Sequence, residues 1–330
     1  MVWTGLLIGL IFGALLQRGR VCFNSAFRDV KLIKDNYVFK IGILTVALSM
    51  IFFHFAAQFG WIRMSPPTFN WISTILGAFV FGMGMVLAGG CASGVTYRIG
   101  EGLTTAWMAA FAYGLTAFAA QRGALSFIRN GLSSFNVTVA NENEMYTAVT
   151  GPTLSSLLGI SPWIPALIVA ALLLWYVFGT KTTPRKSTMD WRLLSVLLAI
   201  VAVVAYILSF AAGRNYGLGI TGSWVALWNS FLTGAKLNWA SLLIIGIIVG
   251  ATITAVVNKE FKLRMPKQPS TYAKVLLGGF LMGLGATLAG GCNIGHFLTG
   301  LPMLGISSIL ASVFFILGNW AMTWFLYERE

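Results

Sequence analysis

Charged and metal-binding side chains are scarce in this chain of 330 residues. Only 9% of its residues are charged, and nine of these are acidic. The two histidines, His54 and His296, are too few and too scattered for a metal transporter, and we expect His54 to be a structural hydrogen bonder. Three cysteines without a CxxC pair provide no zinc or iron-sulphur ligand set and no obvious disulphide framework. The sequence therefore predicts free thiols, no metal and no cofactor.

Apolar residues are abundant, at 57% of the chain, and they form many runs long enough to cross a bilayer. The fold class predicted from this is an all-α polytopic membrane protein with about nine transmembrane helices and no soluble domain. The first run lacks a preceding basic segment and is followed by Arg18 and Arg20, so we expect a retained helix and not a signal peptide. The predicted spans are residues 3–19, 38–59, 71–89, 103–121, 161–179, 191–212, 240–257, 272–289 and 303–326.

The formal net charge of +13 comes mainly from three loops, within residues 18–40, 181–192 and 259–274. Basic loops of membrane proteins lie on the cytoplasmic side, which predicts an outside N-terminus and an inside C-terminus. The long polar segment 131–161 then falls outside. Because the charge reports orientation, it does not indicate a nucleic-acid partner. We expect a multi-pass protein of the bacterial cytoplasmic membrane, surrounded by lipid.

The sequence LAGGC occurs twice, ending at Cys91 and at Cys292. Aligning these cysteines gives seven identities in ten positions, which shared hydrophobicity alone does not explain. The first copy closes the third predicted span and the second closes the eighth. This odd offset reverses the chain direction, so the two copies enter from opposite faces, as in transporters with inverted repeats.

The predicted architecture is one membrane domain, residues 1–330, with inverted repeats at about 1–130 and 190–330 joined by 131–189. Short broken helices from the two repeats would meet at the centre of an hourglass. The spacer glycines before each motif are expected to pack helices. The double glycines Gly89, Gly90, Gly290 and Gly291 instead break the helix and allow close backbone approach.

Polar residues follow each break, which favours a short helix whose amide groups point back at the cysteine. Such a site suits an anion. Arg98 and Glu101, three residues apart, could pair on the first short helix or serve the site as intramembrane charges. Asn293 is a candidate lining residue, and His296 either donates to the anion or caps the re-entrant turn.

The third cysteine, Cys22, follows the first span beside a basic loop. Each thiol could act as a nucleophile of lowered pKa or as a neutral hydrogen-bond donor. For transport of a dianion we expect neutral thiols, since a thiolate would repel the ion. Weak, soft donors also allow release and favour a sulphur-containing anion.

These motifs resemble the YeeE/YedE family of bacterial membrane proteins, specifically its thiosulphate-uptake members. The resemblance covers nearly the whole chain: Arg20-Val-Cys22-Phe-Asn24, LAGGC followed by Ala-Ser-Gly, and LAGGC followed by Asn-Ile-Gly-His. It implies an hourglass-shaped thiosulphate transporter in which Cys22, Cys91 and Cys292 relay the substrate through thiol hydrogen bonds, serving cysteine biosynthesis. By position, Cys91 is the predicted central contact, Cys292 the outer station and Cys22 the inner one, with Asn24 as polar lining.

The same resemblance implies a separate cytoplasmic partner of the TusA-like sulphur-carrier type. Alternatives stay open at this point. The substrate could be another sulphur or selenium compound, or the protein could be a thiol-dependent sulphurtransferase in which Cys91 becomes sulphurated. A structural or anchoring protein is a third possibility, although it leaves both Gly-Gly-Cys breaks unexplained. Our prediction is a transporter and not an enzyme.

Overall fold

The computed structural model describes residues 1–132, 136–140, 143–183 and 189–328. Part of the predicted outer segment 131–161 and residues 184–188 of the second basic loop therefore lie outside the described residues. The described residues form fourteen α-helices and one π-helical turn. They are α1 Thr4–Gly19, α2 Phe23–Leu32, α3 Tyr37–Gln58, α4 Trp71–Leu87, α5 Ala92–Gly100, α6 Thr104–Arg122, α7 Ser126–Leu132, α8 Leu154–Leu158, α9 Trp163–Gly179, α10 Trp191–Ala211, α11 Ile220–Thr233, α12 Trp239–Val257, α13 Ser270–Ala289, the π turn Gly295–Gly300 and α14 Ile306–Tyr327.

Four two-residue strands form two antiparallel pairs beside these helices. Strand β1 (Phe69–Asn70) pairs with β2 (Asn136–Val137), and β3 (Val139–Ala140) pairs with β4 (Val149–Thr150). Apart from three isolated β-bridges, the other regular elements of the described residues are helical. The all-α polytopic class is therefore confirmed.

Nine helices, α1, α3, α4, α6, α9, α10, α12, α13 and α14, coincide with the nine predicted spans. Helix α9 has 17 residues, and α6, rich in alanine and threonine, is the least apolar of the nine. By length and composition, seven helical segments of the described residues can cross a membrane, two of them by combining a helix with the short helix after it. They are Thr4–Leu32, Tyr37–Gln58, Trp71–Gly100, Trp191–Ala211, Trp239–Val257, Ser270–Ala289 and Ile306–Tyr327.

The order of elements recurs along the chain. Helices α1 to α6 are matched in turn by α10, α11, α12, α13, the π turn and α14, with α7 to α9 between the two sets. Packing follows the same order: α4 packs on α14 as α13 packs on α6, α1 packs on α12 as α10 packs on α3, and α4 and α13 pack on each other. Corresponding helices of the two sets therefore have corresponding neighbours.

The spacer glycines allow these close helix contacts, as predicted. A Cβ atom at Gly82 would lie 2.5 Å from the Phe315 carbonyl oxygen of α14, and one at Gly283 would lie 2.6 Å from the Tyr113 carbonyl oxygen of α6. Any larger side chain would force these backbones apart. The two equivalent glycines thus serve equivalent interfaces.

A buried cation fixes the C-terminal end of α9. Lys40, which the sequence analysis counted with the first basic loop, is fully buried in α3. Its ammonium group donates to the carbonyl oxygens of Val177 (3.0 Å) and Thr180 (2.5 Å) and to the Thr182 hydroxyl (3.0 Å). The last carbonyl groups of a helix have no following amide within the helix to accept from. Lys40 supplies donors to such groups at the end of α9 and so joins α9 to α3.

Candidate functional site

Four of the long helices end in a break, and each break contains a residue of left-handed backbone conformation. These residues are Arg20 (φ 48°), Gly89 (φ 70°), Gly213 (φ 83°) and Gly290 (φ 86°), after α1, α4, α10 and α13. A left-handed residue after a helix turns the chain sharply, and glycine adopts that conformation with little strain. The chain then starts a short helical element in a new direction.

Three of these four short elements start at or just after a cysteine. Cys22 is the N-cap residue of α2, Cys91 is the N-cap residue of α5, and Cys292 lies three residues before the π turn. In the fourth, the N-cap of α11 is Gly219. All three thiols are free and buried. The three thiols of the chain therefore lie in its interior, at the helix breaks.

Cys22 and Cys91 form one paired site. Their Sγ atoms lie 3.6 Å apart. The Cys91 sulphur also accepts from the backbone amides of Phe23 and Gly94, both at 3.3 Å, while the Cys91 amide donates to the Cys22 sulphur at 3.4 Å. Two helix N-termini thus direct amide groups at the same pair of sulphurs, an arrangement that favours negative charge nearby.

Gly94 holds this pair together, and the sequence analysis did not identify it. A Cβ atom there would lie 2.6 Å from the Cys22 sulphur and 3.3 Å from the Cys91 sulphur. The side chain of any other residue would therefore displace the Cys22 thiol. The signal was present in the sequence, since Gly94 is the third residue after an N-cap cysteine, where the amide faces the cap side chain.

Cys292 lines a cavity of about 130 Å³ that is separate from the thiol pair. Gly290 and Gly291, both predicted site residues, line it as well. The wall also includes polar side chains that the sequence analysis missed. These are Gln121, Arg214, Tyr216 and Thr221. They come from α6, α11 and the loop between α10 and α11, and no pattern in the sequence indicates that these segments lie beside a cysteine.

Arg214 supplies the positive charge of this cavity. Its Nη1 atom donates to the Ser209 hydroxyl at 3.0 Å and to the carbonyl oxygens of Tyr216 (2.9 Å) and Gly217 (3.0 Å). Since the guanidinium group carries five N–H donors, this anchoring through one nitrogen fixes its position and leaves donors on the other nitrogens. An anion entering beside Cys292 would meet a fixed cation.

Two further cavities lie at corresponding places in the two sets of helices. One, of about 220 Å³, is lined by Leu288, Ala289, Gly290 and Arg129 among others. The other, of about 400 Å³, is lined by the equivalent Leu87, Ala88 and Gly89, together with Arg98 and Lys274. Each LAGGC motif therefore borders a cavity that contains a basic side chain.

Arg98 does not pair with Glu101, which corrects that part of the sequence analysis. Its Nη1 atom donates to the Gly89 carbonyl oxygen at 2.7 Å, a group freed by the helix break. The buried Glu101 caps the other end of α5, where it lies 3.7 Å from Arg20 and accepts from Gln17 at 3.4 Å. Helix α5 is thus fixed at both ends by two separate contacts.

The two predicted asparagines have different surroundings. Asn24 accepts from the Asn319 amide at 2.8 Å, which joins α2 to α14. Asn293 is fully buried, and neither polar atom of its carboxamide has a hydrogen-bond partner in the described part of the chain. A buried, unpartnered carboxamide beside Cys292 costs free energy, because its polar atoms have lost water without gaining a partner.

Both histidines have structural contacts. His54 hydrogen bonds to the Met50 carbonyl oxygen at 2.8 Å, as expected of a structural hydrogen bonder. His296 contacts the Ala289 carbonyl oxygen through Nε2 (3.1 Å) and the Ser308 hydroxyl through Nδ1 (2.9 Å). Because a carbonyl only accepts, Nε2 carries the proton, and both ring nitrogens are occupied. This bridge across the break corresponds to the capping role.

One protein family, described as sulphur transport, matches residues 18–321. The chain belongs to the sulphur transport family. This membership makes the protein a transporter and not an enzyme, as predicted. The matched region contains all three cysteines and all four helix breaks.

Named relatives of this sulphur transport protein agree with the family match. It is 58% identical to the thiosulfate transporter TsuA of Spirochaeta thermophila, over 100% of both chains. It is 32% identical to the thiosulfate transporter TsuA of Escherichia coli, over 100% of this chain and 96% of the relative. The probable transporter YedE of E. coli is 36% identical over 31% of this chain and 25% of its own length. The predicted resemblance to the YeeE/YedE family and its thiosulphate-uptake members is confirmed.

Proposed function

We propose that this sulphur transport protein takes up thiosulphate across the bacterial cytoplasmic membrane. The two relatives that match over 96% or more of their lengths carry that substrate in their names. The observation that carries the proposal is the Cys22–Cys91 pair, which combines two soft sulphurs with amide groups from two helix N-termini. Thiosulphate is a dianion with one soft sulphur, so it matches both features.

The chemistry of the pair suits passage more than tight binding. Backbone amides and neutral thiols stabilise an anion without adding full positive charges. Conduction needs sites that replace part of the hydration shell and still release the ion. Two cations line cavities of the molecule, Arg214 in the one beside Cys292 and Arg98 in the one beside the first LAGGC motif. They would attract the dianion towards the pair without clamping it there.

The proposed route runs from Cys292 through Cys91 to Cys22. The basic loops favour a cytoplasmic location for the ends of α1 and α4, so Cys22 and Cys91 would belong to the inner side and Cys292 to the outer side. Gly89, Gly90, Gly290 and Gly291 would allow the backbone to approach the ion, and Asn24 and Asn293 would line the path. We infer that the two sets of helices are inverted repeats, with the four breaks meeting at the waist of an hourglass.

Cytoplasmic delivery would involve a second protein. We infer a TusA-like sulphur carrier that takes thiosulphate at the inner face, near Arg98 and Lys274 of the 400 Å³ cavity. The side chains on the outer surface of the helices would face lipid: Trp175 on α9, for example, is 76% exposed. The predicted cytoplasmic-membrane location and the outside N-terminus belong to the same proposal.

Uptake of labelled thiosulphate tests the proposal. The assay uses bacteria that lack their own thiosulphate and sulphate uptake systems and compares the intact chain, Cys91→Ala and Ser49→Ala. Ser49 is a matched control, because it is an equally buried small polar side chain on α3 that lies outside the site. We expect uptake by the intact chain and by Ser49→Ala, little uptake by Cys91→Ala at equal membrane levels, and weak competition by sulphate.

Two results would contradict the proposal. An intact chain that reaches the membrane without carrying thiosulphate would require another sulphur or selenium substrate. A persulphide on Cys91 after exposure to thiosulphate, detected by mass spectrometry, would indicate the sulphurtransferase, because a transporter leaves the thiol unmodified.

A further inference from the structure

A pair of buried hydroxyl groups joins α6 to α11 beside Cys292. The Tyr113 hydroxyl lies 2.7 Å from the Thr221 hydroxyl, and either group can be the donor. Tyr113 is fully buried and Thr221 is 3% exposed. Neither residue belongs to a sequence motif, and neither is used in the thiol route described above.

The two residues lie beside the elements that carry Cys292 and Cys91. Thr221 lines the same cavity as Cys292, at the first turn of α11. Tyr113 lies on α6, which packs both on α11 and on α5, the short helix whose N-cap residue is Cys91. Through Thr221, Tyr113 therefore connects the wall of the Cys292 cavity with the helix that packs on the Cys91 helix, where the proposed route otherwise has no polar group assigned to it.

We propose that Tyr113 and Thr221 form a further substrate-contacting station, which passes the oxyanion from Cys292 to Cys91. The inference rests on the proposed function and deepens it, because it names the donors between two of the thiols. The ligand class is a small oxyanion with more than one acceptor oxygen. No bond is made or broken in this step.

Hydroxyl groups suit this position because their hydrogens can rotate. In the empty site one hydroxyl hydrogen is used in the Tyr113–Thr221 bond. When an anion arrives, both hydroxyls can turn and donate to it, which replaces one neutral hydrogen bond with two charge-assisted ones. Hydroxyls are also stronger hydrogen-bond donors than thiols. Their hydrogen bonds would therefore replace those that the anion loses with its water molecules between Cys292 and Cys91.

A merely structural role makes a different prediction. In the other set of helices, the Asn319 amide donates to Asn24 and joins α14 to α2, an equivalent pair of elements. If the hydroxyl pair were only such an anchor between α6 and α11, its loss would lower the thermal stability of the protein. A substrate contact instead changes the concentration dependence of uptake while the fold stays intact.

The test compares Tyr113→Phe with Tyr272→Phe. Tyr272 is a matched control, since its hydroxyl also lies 2.7 Å from a threonine hydroxyl, that of Thr104, at the first turn of α6. Initial rates of labelled thiosulphate uptake would be measured over a range of concentrations, together with the melting temperature of each purified variant in detergent. We expect Tyr113→Phe to lower the ratio of maximal rate to KM by about tenfold or more, since hydrogen bonds to charged groups are the stronger ones. Tyr272→Phe should leave it unchanged, and the two variants should melt alike.

Thr221 provides a second, independent measurement. Thr221→Val removes the hydroxyl with little change in shape, whereas Thr221→Ser keeps it. We expect the serine variant to retain more uptake than the valine variant. The inference is overturned if Tyr113→Phe transports within twofold of the intact chain, if its loss of uptake is matched by a lower melting temperature than that of Tyr272→Phe, or if serine and valine at 221 behave alike. Absence of uptake by the intact chain overturns the proposed function itself, and this inference with it.

Discussion

At the scale of single residues, the thiol pair combines two properties that rarely occur together in a membrane interior. Cys22 and Cys91 are fully buried, and yet their sulphurs are surrounded by hydrogen-bond donors from the backbone. Buried cysteine usually behaves as a small apolar side chain. Here the helix breaks bring amide groups to it, so the polarity of the site comes mostly from main chain that the glycines allow to approach.

The paired geometry predicts selective oxidation. The two sulphurs are 3.6 Å apart, and closing to the disulphide distance of about 2.05 Å requires only a small shift. We expect diamide, which accepts both thiol hydrogens, to join Cys22 to Cys91 and to stop thiosulphate uptake until a reductant restores it. Peptide mapping by mass spectrometry would identify the bridge, and Cys292→Ala should form it equally well. A bridge that included Cys292 would contradict the observed pairing.

Gly94 predicts a sharp steric effect. We expect Gly94→Ala to lower thiosulphate uptake by about tenfold or more, because the new methyl group would lie 2.6 Å from the Cys22 sulphur and must displace it. Gly179→Ala is the control, since the nearest side-chain atom there, Nε1 of Trp175, would lie 3.9 Å from the added Cβ. Equal uptake by both variants at equal membrane levels would show that the thiol pair tolerates the shift.

At the scale of helices, the sequence predicted those elements whose ends are marked by a long apolar run, a double glycine or a cysteine. The nine long helices were predicted because a bilayer demands long apolar runs, and the break before α5 was predicted because Gly89 and Gly90 end an apolar run just before a cysteine. The short helix α11 was not predicted. Its break carries Gly213 but no cysteine and no double glycine, and its helix is apolar without being long enough for a span.

The contents of the site were predicted only in part, for a related reason. Cysteines and double glycines repeat in the sequence, so they were found without any structure. Thr221 and Arg214 come from a helix and a loop far from Cys292 in the chain, and tertiary packing alone brings them to Cys292. The expected Arg98–Glu101 pair failed because helical spacing allows such a pair, but the freed Gly89 carbonyl and Arg20 offered better-placed partners.

Helix packing gives a prediction of its own at this scale. Gly9 of α1 contacts α12 so closely that a Cβ atom there would lie 2.3 Å from the Leu243 carbonyl oxygen. We expect Gly9→Val to lower the melting temperature of the purified protein, with overpacking costing about 1–3 kcal/mol. Leu7→Val is the control, because Leu7 on the same helix is 54% exposed. Equal melting temperatures would mean that α1 and α12 can separate at no cost.

At the scale of the whole molecule, the recurrence of elements relates the two ends of the proposed route. Each LAGGC motif borders a cavity with a basic side chain, Arg129 in one case and Arg98 in the other. If the two sets of helices are inverted, these cavities open on opposite faces, and one protein carries a related vestibule on each side of a shared centre. The direction of net movement then depends on which face consumes the anion.

Orientation in the membrane decides which cavity is the entrance, and the basic loops predict it. The loops around 18–34 and 259–274 carry most of the positive charge of the described chain, which favours a cytoplasmic C-terminus. We expect a C-terminal green fluorescent protein fusion to fluoresce and a C-terminal alkaline phosphatase fusion to be inactive, while phosphatase fused after residue 153, in the segment that follows α7, is active. The C-terminal fluorescent fusion must take up thiosulphate as well as the intact chain does, which shows that the fused protein is folded. The reverse pattern would place Cys292 and Arg214 on the cytoplasmic side and make the Arg98 cavity the entrance, so the order of stations proposed here would have to be inverted.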